Sequence, residues 1–156
     1  MCLRELRGKK IMKIHIATDH AGLELKNVIS VYLIEKGHDV TDHGAHEYDA
    51  LDDYPDFIFP CAKAVAMDVG SRGIILGGSG QGEAMAANRI KGVRAAVFYN
   101  GPKEILKLSR EHNNANILSL GARFMSEHEI YDVIEMWLKE PFEGGRHQKR
   151  IDKLDR

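Results

Sequence analysis

Glu83 follows directly on a run rich in glycine, Gly77-Gly78-Ser79-Gly80-Gln81-Gly82, between an apolar segment and a helix-like one. Such a loop can turn several backbone N–H groups toward a negative or developing-negative oxygen. Nucleotide phosphates are one source of that oxygen, and spacing tests them. The Walker pattern needs Lys-Ser/Thr after its last glycine, where this chain has Glu83-Ala84. The dinucleotide fingerprint, aligned on Gly78 and Gly80, would put Glu83 where its third glycine belongs. A carboxylate in the first helical turn also repels the anion that the amides attract. Beside oxyanion donors it suits a different task, removal of a proton alpha to a carbonyl while the amides stabilise the enediolate oxygen that forms. Two plainer readings stand next to this one: the glycines as a tight turn, and Glu83 as a stabiliser of its helix N-terminus.

Four further constellations are candidates for the same chemistry. Asp19-His20 follows the first strand-like segment and could handle a hydroxyl, a ring oxygen or a phosphate, although Asp19 is equally placed to cap the next helix. His112-Asn113 ends a later helix, on the way to the binding edge. Opening a furanose ring needs a proton donor of suitable pKa, which points to His112, with Asn113 as an amide contact to an oxyanion or hydroxyl. A histidine at a helix end has a structural reading too, interaction with the helix dipole. Arg123, and Arg146 with Arg150 four residues on, carry guanidinium forks that match phosphate oxygens; a solvated basic tail is the alternative for the last two. His147 could accompany them or be exposed. His15, His38, His43, His46 and His128 show no metal-ligand spacing, so no metal is expected.

The elements that must position these residues alternate. Lys13 to Thr18 reads as a strand, and Leu25, Val28, Ile29, Tyr32 and Leu33 recur at helical spacing until Gly37. Strands at His38–Asp42, Gly73–Leu76, Arg94–Phe98 and Ile117–Leu120 follow. Between and after them come helices, one burying Ile58, Cys61, Ala62 and Val65, one from about Glu83, one ending near His112, and one burying Ile130, Val133, Ile134, Trp137 and Leu138 before Pro141. Five strands in alternation with helices predict an α/β fold, a doubly wound, Rossmann-like parallel sheet with helices on both faces. Ligands then sit beyond the carboxyl ends of the strands. The charged tail after Pro141 has no evident place on that sheet and is expected to reach a second subunit.

At 156 residues the chain fits one domain, 13–156, preceded by a loosely attached or disordered extension, 1–12, that ends at a second methionine. A formal net charge of −1, with acids and bases interspersed, gives no reason to expect a nucleic-acid or membrane partner, so any anion grip must be local. Cys2 and Cys61 are too far apart in sequence for a zinc spacing and too few for a disulfide framework, which fits a cytoplasmic protein; no targeting signal or membrane-length apolar run is present.

Taken in order, Asp19-His20-Ala21-Gly22, the loop 77–82 with Glu83 and Ala86-Ala87-Asn88-Arg89, Arg110-Glu111-His112-Asn113-Asn114-Ala115-Asn116, Gly121-Ala122-Arg123 and Gly145-Arg146-His147-Gln148-Lys149-Arg150-Ile151 resemble the ribose-5-phosphate isomerase B and galactose-6-phosphate isomerase family, from about Lys13 to the end. The resemblance implies cofactor-free interconversion of ribose 5-phosphate and ribulose 5-phosphate in a homodimer, or a dimer of dimers, with sites at the subunit interface. It implies Glu83 as the base and His112 as the ring-opening acid. Asp19, His20 and Asn113 are implied as substrate contacts, Gly78, Ser79, Gly80, Gln81 and Gly82 as the enediolate-stabilising loop, and Arg123, Arg146 and Arg150 as the phosphate grip, the last two from the partner. Many members carry a cysteine base at the position of Gly77; this chain resembles the branch that uses a glutamate one turn later. It is longer than some relatives around Asn100-Gly101-Pro102, which bears on substrate choice. A hexose 6-phosphate (allose or galactose) is the rival substrate, and a non-catalytic sugar-phosphate binder is the rival of another class; a binder needs no base and acid together.

Overall fold

The structure is a computed structural model and describes residues 4–6 and 9–156. Two short strands, β1 (Arg4–Leu6) and β2 (Lys9–Ile11), pair antiparallel. Within the expected extension 1–12, residues 1–3 and 7–8 lie outside the described residues, while Met12 is already part of the core. The domain proper runs β3 (Lys13–Thr18), α1 (Leu23–Glu35), β4 (Asp39–Asp42), α2 (Pro55–Met67), β5 (Arg72–Gly77), α3 (Gln81–Ala87), β6 (Ala95–Phe98), α4 (Glu104–Glu111), β7 (Ile117–Gly121), α5 (Glu127–Lys139) and α6 (Arg146–Ile151).

The five long-chain strands form one parallel sheet in the order β4-β3-β5-β7-β6. Period-two alternation divides their side chains between two cores. Ile14, Ile16, Ile74, Leu76, Leu118 and Leu120 face α1, α4 and α5, where they meet Ile29, Leu33, Leu106 and Trp137. Ala17, Ile75 and Ile117 face α2 and α3, against Ile58, Cys61, Val65 and Ala87. Burial on both faces is what an all-parallel sheet requires, and it explains the nearly unbroken apolar runs of β5 and β7. Each fully buried large side chain contributes about 1.5–3 kcal/mol relative to exposure. α5 begins with a capping box, Ser126 Oγ accepting from the Glu129 N–H while the Glu129 carboxylate accepts from the Ser126 N–H.

Two features of this order build the site. The chain turns from β3 to β4 on one side and to β5 on the other, so a crevice opens between the carboxyl ends of β3 and β5, the switch point of the sheet. Then β7, not β6, pairs with β5, with Leu76 opposite Leu120 and Gly77 opposite Gly121. The segments leaving β3, β5 and β7 therefore lie side by side. No described helix is long and apolar enough to cross a membrane.

Candidate active site

Asp19 leaves β3 buried, its carboxylate accepting from the Ala21 N–H at 2.9 Å. The cap expected of it is therefore real, and it faces the site as well. His20 follows in a single 3-10 turn. The backbone here is clamped by Gly44 and Ala45, which exchange hydrogen bonds with Thr18 at 2.7 Å. Those residues are held in turn by the fully buried Lys26, which donates to both Asp42 oxygens and to the Ala45 carbonyl. An ion pair with all its donors used is how a lysine can be buried at this cost.

The glycine loop continues β5. Gly80 sits at φ +78°, a left-handed conformation that favours glycine, with its carbonyl accepting from Ser119 Oγ at 2.6 Å. Ser79 Oγ accepts from the Gln81 N–H, and Gly82 packs against the Tyr54 ring. α3 starts at Gln81, so Glu83 stands in its first turn. The Glu83 side chain is 5% exposed and folds back over Gly77, whose missing side chain leaves the room: a Cβ at 77 would collide with the carboxyl group. Burial pushes the Glu83 pKa up and nearby Asp19 adds to this, while its own backbone amide pulls the other way. A carboxylate short of solvent is a stronger base than one in water.

From β7, Arg123 lays its guanidinium against Gly78, and its backbone N–H donates to the Gly78 carbonyl at 3.1 Å. Tyr99 and Phe124, both well exposed, pair where the chain leaves β6 and β7, with ring centroids 5.8 Å apart. Asp19, His20, the loop 78–82, Glu83 and Arg123 are thus one cluster.

His112 and Asn113 are not in it. The sequence reading carried them toward the binding edge, but α4 runs back antiparallel to the strands, so its carboxyl end delivers His112 to the amino edge of β7. Five residues of β7 lie between the two edges, about 16 Å at ~3.3 Å per residue. His112 instead stacks on His147, centroids 4.3 Å apart and rings 15° from parallel, beside a hollow of about 240 Å³ lined also by Asn113, Arg150, Ile151 and Leu154. The tail that had no evident place is seated here: the Glu143 N–H donates to the Glu111 carbonyl, the Gly92 N–H donates to Asp155, and His147, whose exposure the sequence left open, is 6% exposed. Arg146 and Arg150 remain exposed. A larger hollow, about 730 Å³, is lined by Tyr32, Lys36, His38, Glu135 and Lys139 and lies away from both clusters.

The fold superposes on a solved structure of ribose-5-phosphate isomerase B from Mycoplasma genitalium with bound ribulose-5-phosphate, at a TM-score of 0.87 and 45% identity, covering 92% of this chain and 93% of that one. Residues 14–154 match the model of the ribose/galactose isomerase family. The chain belongs to that family. Similar sequences include a probable ribose-5-phosphate isomerase B of Mycoplasma genitalium, 46% identical over 92% of this chain and 93% of its own length, and the ribose-5-phosphate isomerase B of Mycobacterium tuberculosis, 42% identical over 92% and 88%. Within the family, the contact between Glu83 and Gly77 explains the departure noted in the sequence. A cysteine side chain at 77 and this placement of Glu83 would claim the same volume, so the chain has room for one or the other.

Sequence reasoning missed two residues of the cluster. Asp52 accepts from His20 Nδ1 at 2.6 Å and from the His20 N–H at 3.2 Å, and Tyr54 backs the loop at Gly82. Asp52 is one of three acids between 49 and 53, and nothing in its spacing sets it apart. Among the described residues, two groups bring potential metal ligands within 4.8 Å of one another, Asp19-His20-Asp52 and His112-Glu143-His147. In the first, Asp52 Oδ1 already accepts both His20 hydrogen bonds. In the second, parallel rings run their in-plane lone pairs side by side, where a metal needs them to converge.

Proposed function

We propose that this chain is an aldose–ketose isomerase that interconverts ribose 5-phosphate and ribulose 5-phosphate through an enediolate, needing no cofactor. The reading rests above all on Glu83, a buried carboxylate whose pKa is pushed up, set over Gly77 beside the amides of 78–82. In the forward direction Glu83 removes the proton from C2 of the open-chain aldose. The amides of 78–82 hold the negative oxygen of the enediolate, the O2 hydroxyl proton passes to O1, and Glu83 returns the carbon-bound proton to C1, leaving the carbonyl at C2. Asp19, adjacent to Glu83, faces the sugar hydroxyls. Arg123 and His20, whose charges feel one another, face the phosphate.

Ring opening needs an acid within hydrogen-bond reach of a furanose that Glu83 also touches, and a gap of about 16 Å within one chain forbids that. We infer a homodimer in which His112 of the partner subunit supplies the ring-opening proton, with the partner's Asn113 as a substrate contact and the partner's Arg146 and the partner's Arg150 completing the phosphate grip. The arrangement of His112, Asn113 and Arg150 around one hollow supports their acting as a set. A cytoplasmic enzyme is the corresponding setting.

The test is isomerisation of ribose 5-phosphate, allose 6-phosphate and galactose 6-phosphate by the purified chain, without added metal or cofactor. Turnover of the pentose with the highest kcat/KM supports the reading. Preference for a hexose 6-phosphate replaces the substrate while keeping the chemistry, and binding of all three without turnover leaves a sugar-phosphate binder.

A further inference from the structure

A phosphate site that sets a histidine beside an arginine has an electrostatic problem before substrate arrives: Arg123 favours the neutral form of His20. Loss of that proton would remove a cation from the grip. The groups facing His20 are Asp19, Asp52, Arg123 and the edge of the Tyr48 ring, centroids 6.0 Å apart. Of these only Asp52 bonds it, at 2.6 Å through Nδ1 and again at 3.2 Å through the backbone N–H. The Asp52 side chain is 8% exposed, and its second oxygen is buried with no hydrogen-bond partner. An orphaned carboxylate oxygen costs stability, and a neutral amide or hydroxyl could cap the His20 N–H without adding a buried charge. The charge is what sets Asp52 apart.

We propose that Asp52 is a positioning residue for the reaction, fixing the His20 ring so that Nδ1 is turned inward as a donor and Nε2 is left as the donor to the substrate phosphate. Donation from Nδ1 to Asp52 selects the orientation. The hydrogen bond to Asp52 also raises the His20 pKa, against the opposing pull of partial burial and Arg123. An imidazolium with one N–H committed to a carboxylate has its other N–H aimed at the ligand, the same division of labour by which a carboxylate orients a catalytic or metal-binding histidine. The loop that carries Asp52 also carries Tyr54 against Gly82, so the segment 49–54 supports both the phosphate grip and the enediolate loop.

The inference rests on the reading of His20 as a phosphate contact, and its test separates the two. In Asp52→Asn, the His20 titration midpoint followed by NMR should fall below that of the wild type. KM for ribose 5-phosphate should rise about tenfold with a smaller change in kcat, and the pH at which KM begins to climb should move down with the His20 midpoint. In a His20→Gln background the same substitution should add almost nothing to KM, an outcome a merely structural role would not give. Asp52→Glu, which keeps the charge, should restore much of the midpoint. An unchanged His20 midpoint in Asp52→Asn overturns the pairing, whatever happens to activity. Additive effects of Asp52→Asn and His20→Gln overturn it as well. A lowered midpoint with KM unmoved in both single variants removes His20 from the phosphate grip, and the role assigned to Asp52 falls with it.

Discussion

The two clusters differ in how the fold treats their charges. At the carboxyl edge of the sheet, Glu83 and Asp19 are buried, and each is held by a specific neighbour, Gly77 for one and the Ala21 N–H for the other. At the amino edge, Arg146 and Arg150 project into solvent from a six-residue helix that is seated through the buried His147 and the tail contacts of Glu143 and Asp155. On the proposed function, proton transfer needs a base whose energy is tuned by desolvation before substrate binds, which fits a cluster buried inside one chain. A phosphate dianion brings its own charge, and long exposed arginines gain most of their value only when it arrives. The first cluster therefore spends folding energy on a perturbed group, while the second costs the monomer almost nothing.

That contrast is broken most directly at Glu83. Glu83→Gln should lower kcat by about 100- to 10,000-fold while substrate still binds; near-normal turnover in steady-state assays would remove the base from the proposal. The same variant should be slightly more stable at neutral pH. A carboxyl whose folded pKa is raised binds more protons folded than unfolded, so its contribution to stability declines as pH rises from the ordinary value of 4.5 toward the folded one.

Whether the clusters meet across subunits is tested by mixing. His112→Asn and Glu83→Gln chains, each inactive alone, should regain about a quarter of wild-type activity per chain at equal amounts, since half of the dimers are mixed and each holds one intact site. If mixed dimers form and activity stays at the parental level, the shared site is wrong. Smaller again are the arginines. Arg146→Ala and Arg150→Ala should each weaken phosphorylated substrates by about tenfold to a hundredfold, at roughly 1.5–3 kcal/mol per charged contact, with unphosphorylated sugars unaffected. Equal losses for both kinds of sugar would place these residues in folding or assembly.

The smallest effect lies outside both clusters. His15 and His43 share a ring–ring hydrogen bond at 2.9 Å, and burial lowers the pKa of both, as it does for His38, which accepts from the Met12 N–H. Below the ordinary value of 6.5 the unfolded chain takes up these protons more readily than the folded one, so stability should fall as pH drops from 7.5 to 5.5. His20, raised instead, acts in the opposite direction, while His147, also lowered by burial, adds to the other three. Urea midpoints across that range check the sign, and a flat profile would mean the buried imidazoles carry no such cost.

Local information sufficed where chemistry and period are written in adjacent residues. The apolar runs of β5 and β7 and the stripe of α5 from Ile130 to Leu138 are patterns within one element, and each has the burial that its pattern predicts; the glycine loop ending on Glu83 is equally local. Strand order was beyond reach. Nothing in the sequence says that β7 inserts between β5 and β6, yet that insertion is what lays Arg123 on Gly78. The direction of α4 sent His112 away from the edge to which its motif had been assigned, because a helix following a parallel strand must return to the strand's starting edge before the next begins. Asp52 was illegible for a related reason: its meaning is a 2.6 Å contact with a residue 32 positions away, and its own neighbours are acids of the same kind. Sequence thus determined which residues can transfer a proton and grip an anion, since that follows from side-chain type and short spacing; only the tertiary structure decided which of them stand together, since that follows from how the sheet is ordered and where each helix comes back.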